Sequence, residues 1–336
     1  MATDNLENLP GVGPATAEKF QEEGYDTFLA VASENPGKLA NKVDVGEKTA
    51  EKAVAAAQDA ADVGDFRGAD DILEKRKNMG KVSLKVKEFD DLIGGGIELG
   101  AITEFYGEFG SGKSQFTHQI AVNTQLPPEF GGVNGRVVFI DTEASFRPER
   151  IDQMVRGLSD EAIAACMERD GVSSISELVE VFLSRISVAD AFNSNHQILL
   201  GKKATEFAKE HVDSDMPVKM LMVDSITGHF RAEYVGRGKL SERQQKLNEH
   251  IYDIKRFIDL YDVGVIFANQ VSSNPDSYFG DPTKAIGGNI LGHASTFRIY
   301  IRKSSKNSRV CKLVDAPAHP DGEAPVVIEG DGIREK

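Results

Sequence analysis

The chain has 336 residues, with 39 Lys and Arg against 53 Asp and Glu, a net charge of −14. Its hydrophobic content of 40 % is enough for a core and excludes wholesale disorder, and the length suggests about two domains of roughly 150 residues each. No apolar run reaches the ~20 residues of a membrane helix, so no membrane partner is expected.

Two cysteines far apart, Cys166 and Cys311, exclude a zinc cluster or a disulfide scaffold and fit a reducing, cytoplasmic setting. The acidic first ten residues do not read as a secretory leader. Taken whole, the acidic balance points away from nucleic acid, whose backbone is a polyanion. The charge is uneven, however. Residues 1–64 hold 5 basic and 12 acidic side chains, a net of −7, half of the whole deficit.

In chain order, residues 1–63 read as a small helical module. Helices are expected at Thr16–Glu22 and Glu47–Ala61, the second with Ala50, Ala53, Val54 and Ala57 at helical spacing. Residues 64–80 read as a linker, with a boundary near Val63–Gly64. Residues 81–336 form the larger domain. Strand-like runs recur there at Ile102–Tyr106, Arg136–Ile140, Val181–Val188, Lys219–Val223, Val263–Ala268, Phe297–Arg302 and Val310–Val314. Helical stretches between the early ones predict an α/β fold, a mostly parallel sheet covered on both faces. Ser304–Ser308 reads as a hairpin turn between the last two strands.

The strongest motif is Gly107-Glu108-Phe109-Gly110-Ser111-Gly112-Lys113-Ser114, which follows an apolar strand and precedes a helix predicted over Gln115–Asn123. Its glycines let backbone N–H groups close on phosphate oxygens at a helix start. Lys113 would neutralise the β- and γ-phosphates, and Ser114 would hold Mg²⁺. A carboxylate at a neighbouring strand end should complete the metal site, and Asp224 supplies it. Glu143, just past another strand end, is the candidate base for a hydrolytic water, with Asp141 in a supporting role. Gln270 ends a third strand and could sense the γ-phosphate.

Two segments invert the global charge. Gly228–Lys246 carries Arg231, Arg237, Lys239, Arg243 and Lys246 around Tyr234 against two acids. Ser295–Lys312 carries six basic residues and no acid. Basic loops with interleaved aromatics suit a nucleic-acid backbone, and a solvated face is the alternative for the second. Near the start, Leu9-Pro10-Gly11-Val12-Gly13 resembles a helix-hairpin-helix turn, whose amides could meet a DNA phosphate or whose surface could meet protein. A weaker echo follows at Asp44–Ala50.

These blocks, together with Gly94–Gly96, Ile102–Glu104, Phe146–Arg150, Phe192–His196, Phe230–Gly238, Asn269-Gln270, Phe279–Thr283, Gly287–Asn289 and Val314–Pro317 in this order, resemble the archaeal RadA recombinases over essentially the whole chain. The resemblance implies a RecA-like P-loop ATPase core preceded by a small all-α helix-hairpin-helix domain. It implies an ATP-dependent strand-exchange protein that assembles with itself as a filament or ring on single-stranded DNA and pairs it with a duplex. ATP and Mg²⁺ are the implied cofactors, with a monovalent cation near Asp315 left open, and recombinase mediators are further partners. Arg150 would pack on the adenine beside the loop Gly107–Gln115, and Gln270 would report the γ-phosphate. Arg231, Tyr234 and Arg237 fall in a first DNA-binding loop, and Val271–Ile286 with Lys284 in a second, coupled through His293. Asp315 and Pro320 would cap a neighbouring subunit's ATP. Phe66-Arg67-Gly68-Ala69 fits an F-x-x-A segment that docks on the next subunit. A regulatory paralogue and a RecA-fold helicase-type motor are the alternatives. An acidic surface around a DNA-binding core would fit a salt-rich cytoplasm, where repulsion is screened within about 3 Å at molar salt.

Overall fold

Gly and Asn residues mark the helix starts of the N-terminal segment and set its layout. Helix α1 (Pro14–Glu22) begins at Gly13, after a turn in which Gly11 takes φ +81°. Asn35 caps α3 (Pro36–Val43) by accepting from Gly37 and Lys38 N–H. Between them lies α2 (Phe28–Ala32), capped by Thr27, and α4 (Glu47–Ala60) follows. Their apolar faces close on one another through Leu6, Val12, Phe20, Leu39, Val43, Ala50 and Ala57, all buried. Within this core Glu34 is buried and held by the Tyr25 hydroxyl at 2.6 Å and Lys42 at 3.0 Å. The computed structural model describes residues 4–61, 66–273 and 283–336, so the boundary expected at Val63–Gly64 lies outside the described residues. The chain divides into two compact units, Met1–Asn78 and Met79–Lys336. Part of the segment read as a linker is helical: α5 (Ala69–Lys77) starts with Asp70 and Asp71, ends with three basic residues and buries none of its own. That charge order complements the helix dipole, which is enough to support a short exposed helix.

The larger unit starts with a two-stranded ribbon, β1 (Lys81–Val82) and β2 (Ile97–Glu98), around α6 (Lys87–Leu92). Its main strands are β3 (Ile102–Gly107), β4 (Arg136–Asp141), β5 (Ile186–Asp190), β6 (Val218–Asp224), β7 (Gly264–Ser273), β8 (Thr283–Ala285), β9 (Phe297–Lys303), β10 (Ser308–Asp315), β11 (Gly322–Glu329) and β12 (Gly332–Glu335). They form one sheet in the order β12-β11-β10-β9-β3-β7-β6-β4-β5, with β8 paired to β7. From β9 to β5 the pairings are parallel; β9 to β12 is an antiparallel meander.

Alternation of side chains splits the strands' continuous apolar runs between two faces, as buried parallel strands require. Val137, Phe139, Met222 and Ile266 pack on one face, under α7 (Lys113–Thr124), α8 (Pro148–Arg156), α9 (Asp160–Asp170) and α10 (Ile175–Ser184). Val138, Ile140, Val223 and Phe267 pack on the other, under α11 (Ser194–Glu210), α12 (Gly228–Glu233), α13 (Leu240–Tyr261) and α14 (Gly288–Ala294).

Two readings change. Val181–Val188 is not a strand: α10 runs through Ser184 and β5 starts at Ile186. Gly228–Lys246 is not a loop but mostly α12 and the start of α13, joined through a short 3-10 turn at Arg237–Lys239.

Candidate functional site

Parallel pairing sets Gly107 opposite Gln270, and Asp141 opposite Asp224, which itself lies opposite Ala268. The strand ends predicted to carry chemistry therefore share the carboxyl edge of one sheet, where open α/β folds bind ligands. An open cleft of about 700 Å³ lies along this edge. It is lined by Lys113, Ser114, Gln115, Glu143, Arg150 and Asp224, among others.

The loop from Gly107 to Ser114 is shaped by its glycines. Gly110 and Gly112 take φ +71° and +109°, which side chains rarely adopt. At Gly107 an added Cβ would lie 2.3 Å from the Ile301 carbonyl. Ser111 is buried, whereas Glu108 and Phe109 are exposed at the tip. Lys113 donates to the Gly107 and Glu108 carbonyls at 3.0 and 3.1 Å, so its ammonium lies across the cradle. Burial pushes this ammonium below its ordinary range, while Asp224 and Glu143 draw it back. Ser114 Oγ donates to Asp224 Oδ2 at 2.7 Å, and Ser145 Oγ donates to the same oxygen at 3.1 Å. Burial, helped by Glu143, pushes Asp224 up to about 6. A glycine cradle, a desolvated lysine and a hydroxyl–carboxylate pair fit a triphosphate and a hard divalent cation.

Asp141 builds the turn that presents Glu143. Its carboxylate accepts from the N–H groups of Glu143, Ser145 and Phe146 at 3.1, 3.0 and 2.8 Å. Those bonds hold Ala144 at φ +52°, a strained conformation for a residue with a Cβ. Glu143 Oε1 accepts from Ser225 Oγ and from Gln270 Nε2, both at 2.7 Å. Gln270 Oε1 in turn lies 3.5 Å from Arg231 Nη1. The base candidate, the sensor candidate and the first basic segment thus form one contiguous set. Arg150 donates to Gln115 Oε1 at 2.7 Å and to the carbonyls of Glu329 and Gly330 at 2.8 and 2.6 Å. Its guanidinium forms a wall between α8 and the β11–β12 turn.

Such an arrangement belongs to phosphate-loop folds in general, and comparison with known proteins narrows it. A model of the Rad51 family matches residues 75–336. The chain belongs to the Rad51 family. A tandem helix-hairpin-helix model of the SAM-like kind matches residues 3–59. Proteins named DNA repair and recombination protein RadA are similar over 99 % of both chains: 58 % identical in Haloferax volcanii, 56 % in Halobacterium salinarum and 51 % in Methanoculleus marisnigri. The Rad51-family core is thus an α/β, RecA-like fold, and an acidic chain bears a fold whose relatives are named for work on DNA.

Other candidates fall elsewhere. Tyr234 is only 8 % exposed, packed in the core with Lys246 5.3 Å from its ring centre, so its ring is not offered to a backbone as the sequence suggested. Arg243 is half-buried on α13, and the side chain of Arg237 lies outside the described residues. Val271 pairs with Ala285, and Lys284 is exposed on β8, while 274–282, most of the second expected loop, lies outside the described residues. His293 is exposed on α14. Asp315 and Pro320 are exposed and do not line this chain's own cleft. Phe66 and Ala69 are exposed, Phe66 completely.

The second basic segment is divided: Lys303, Lys306 and Lys312 stay on an exposed face, while the arginines are paired. Arg298 pairs with Glu104, Arg302 with Glu323, and Arg309 donates to the Ser111 carbonyl at 2.7 Å. Arg309 therefore braces the phosphate loop from β10 and lines the cleft, a role that the sequence reading missed. Ser145 and Ser225 were missed as well. Ser225 directly follows Asp224, and that adjacency was the only signal for it. No helix among the described residues is long and apolar enough to cross a membrane.

Proposed function

We propose that the chain is a DNA-dependent ATPase that exchanges strands between single-stranded DNA and a homologous duplex, working as a self-assembled filament or ring. The observation that carries this is the Glu143–Gln270–Arg231 set. The carboxylate read as the hydrolytic base is in contact with a side chain that itself touches a basic segment. An ordinary nucleotide hydrolase has no need of that link. The reading is supported by relatives named for DNA repair and recombination that match end to end.

Bound ATP supplies a phosphoanhydride whose cleavage separates two states of the protein. Lys113 and the loop amides hold phosphate charge, and Ser114 with Asp224 holds Mg²⁺. Both bonds to Glu143 land on Oε1, which leaves Oε2 to take a proton from water. Arg150 forms the wall for the base. Arg231, Arg237, Arg243, Val271 and Lys284 belong to the DNA-facing set, with Gln270 and His293 coupling it to the nucleotide. Gly11 and Gly13 expose helix-start amides to DNA or to a partner protein. Asp315 and Pro320 act on a neighbour's nucleotide, and Phe66 with Ala69 docks on the next subunit. Such a head-to-tail contact leaves one surface unpaired on each end subunit, so it propagates, as a ring where the rotation closes and as a filament where it does not. Domain limits of 1–63, 64–80 and 81–336, a cytoplasmic setting and contacts with recombinase mediators complete the reading.

The test is ATP turnover with and without single-stranded DNA. DNA is expected to raise turnover, and Lys113→Ala is expected to abolish it. Turnover indifferent to DNA would remove the proposal.

A further inference from the structure

A polar chain runs through the otherwise apolar face under α11 and α13, and nucleotide chemistry does not use it. Glu104, on β3, is fully buried. Its carboxylate accepts from Arg298 Nε and from Asn269 Nδ2, each at 2.7 Å. The same amide nitrogen of Asn269 donates to the Ile286 carbonyl at 2.6 Å, and its Oδ1 accepts from Thr227 Oγ1 at 2.7 Å. Thr227 is the residue from which α12 starts, at the root of the first basic segment. Ile286 follows β8 and closes the second expected DNA-binding loop, 271–286. Arg298 also lies 5.4 Å from the ring centre of Tyr106, just ahead of the phosphate loop. Burial works against the charge on Arg298, and Glu104 outweighs it, with Asp315 adding to the same side.

A buried charge is tolerated when it is paired and hydrogen-bonded, yet apolar residues of similar volume often fill such a site equally well. The network therefore contributes position rather than bulk stability. Neighbouring side chains on a strand point to opposite faces. On β7, Gln270 reaches Glu143 at the nucleotide edge while Asn269 enters the buried network. A shift at the end of β7 is thus transmitted to both faces.

We propose that Glu104 is a positioning residue that locks the roots of both expected DNA-binding segments to the strand leading into the phosphate loop. This rests on the reading that those segments bind DNA in a nucleotide-dependent way. Short bonds that share the buried Glu104 carboxylate and Asn269 amide reinforce one another in a low dielectric, so the roots move together or not at all.

The test uses the full-length Glu104→Gln variant, which keeps the size but removes the charge and puts an amide donor against donors. Nucleotide affinity is read with a fluorescent ATP analogue, and single-strand affinity by anisotropy with and without ATP. Amide hydrogen exchange is followed at 226–234 and 284–287. Nucleotide affinity is expected to stay within about twofold, while the gain in DNA affinity on adding ATP falls about fivefold or more. Exchange is expected to rise in both segments together and not in Gly107–Gln115. An undiminished gain with unchanged exchange overturns the assignment. If the wild type itself shows no gain, the functional reading fails, and the exchange arm alone decides on Glu104. Should Glu104→Gln fail to fold, Thr227→Val cuts only the Thr227–Asn269 bond. Faster exchange confined to 226–234 then supports the network, and unchanged exchange overturns it.

Discussion

Replacing Gln270 with Ala cuts the contact between the base candidate and the first basic segment without touching the phosphate cradle. The bond lost is Gln270 Nε2 to Glu143 Oε1 at 2.7 Å, a bond to a charged acceptor. Such bonds contribute about 1.5–3 kcal/mol when sheltered. Here Glu143 is exposed and Gln270 half-exposed, so about 1–2 kcal/mol is the fair figure. At about 1.4 kcal/mol per decade, that is roughly a 5- to 30-fold loss in the coupling between nucleotide and DNA. Glu143 keeps its bond to Ser225, and Lys113, Ser114 and Asp224 keep their places, so nucleotide affinity should hardly move. The assay is single-strand affinity by anisotropy, with and without a non-hydrolysable ATP analogue. The expected outcome is near-normal binding without nucleotide and a stimulation reduced by that factor. Full stimulation in Gln270→Ala would falsify the idea that this side chain transmits the nucleotide state.

Other consequences concern stability and assembly. His250 is buried against Phe230, at 6.1 Å between ring centres, and burial pushes it from 6.5 down to about 4. Above pH 6.5 it is neutral in both folded and unfolded chains. As pH falls from there toward 4, only the unfolded chain takes the proton, so stability falls by about 3 kcal/mol over that window and levels off below it. Denaturation against pH for the wild type and His250→Gln should therefore diverge below pH 6.5, and parallel curves would contradict the buried neutral histidine. Phe66 is fully exposed within its own chain. If a neighbour covers it, Phe66→Ala costs each contact about 2 kcal/mol, and sedimentation should show smaller species; an unchanged profile removes the docking role.

The nucleotide edge was legible because its parts are strand-end residues, and a parallel sheet brings strand ends to one edge whatever their separation in sequence. Asp224 and Glu143 needed only an apolar run and a carboxylate after it. The helix at Ile175–Ser184 was misread because Val181–Val188 is apolar enough for either period. Yet the signal was present: Ser174 and Glu177 have capping-box spacing, and the reciprocal bonds form. In the second basic segment, charge counting could not show which cations are withdrawn, because the arginines' pairing is tertiary while Lys303, Lys306 and Lys312 stay exposed. Arg298 meets Glu104 across 194 positions of sequence. Tyr234 misled for a related reason, since interleaving with cations does not show which way a ring turns. The strands Gly322–Glu329 and Gly332–Glu335 were missed: Pro325 interrupts the first, and the second has four residues.

The most direct measurement is strand exchange by the purified protein in ATP and Mg²⁺, with a labelled single strand offered a homologous or a heterologous duplex. The account predicts joint products with the homologous duplex only, and none with Lys113→Ala. Displacement irrespective of homology would indicate a motor, and DNA binding without exchange a regulatory paralogue; either result contradicts it.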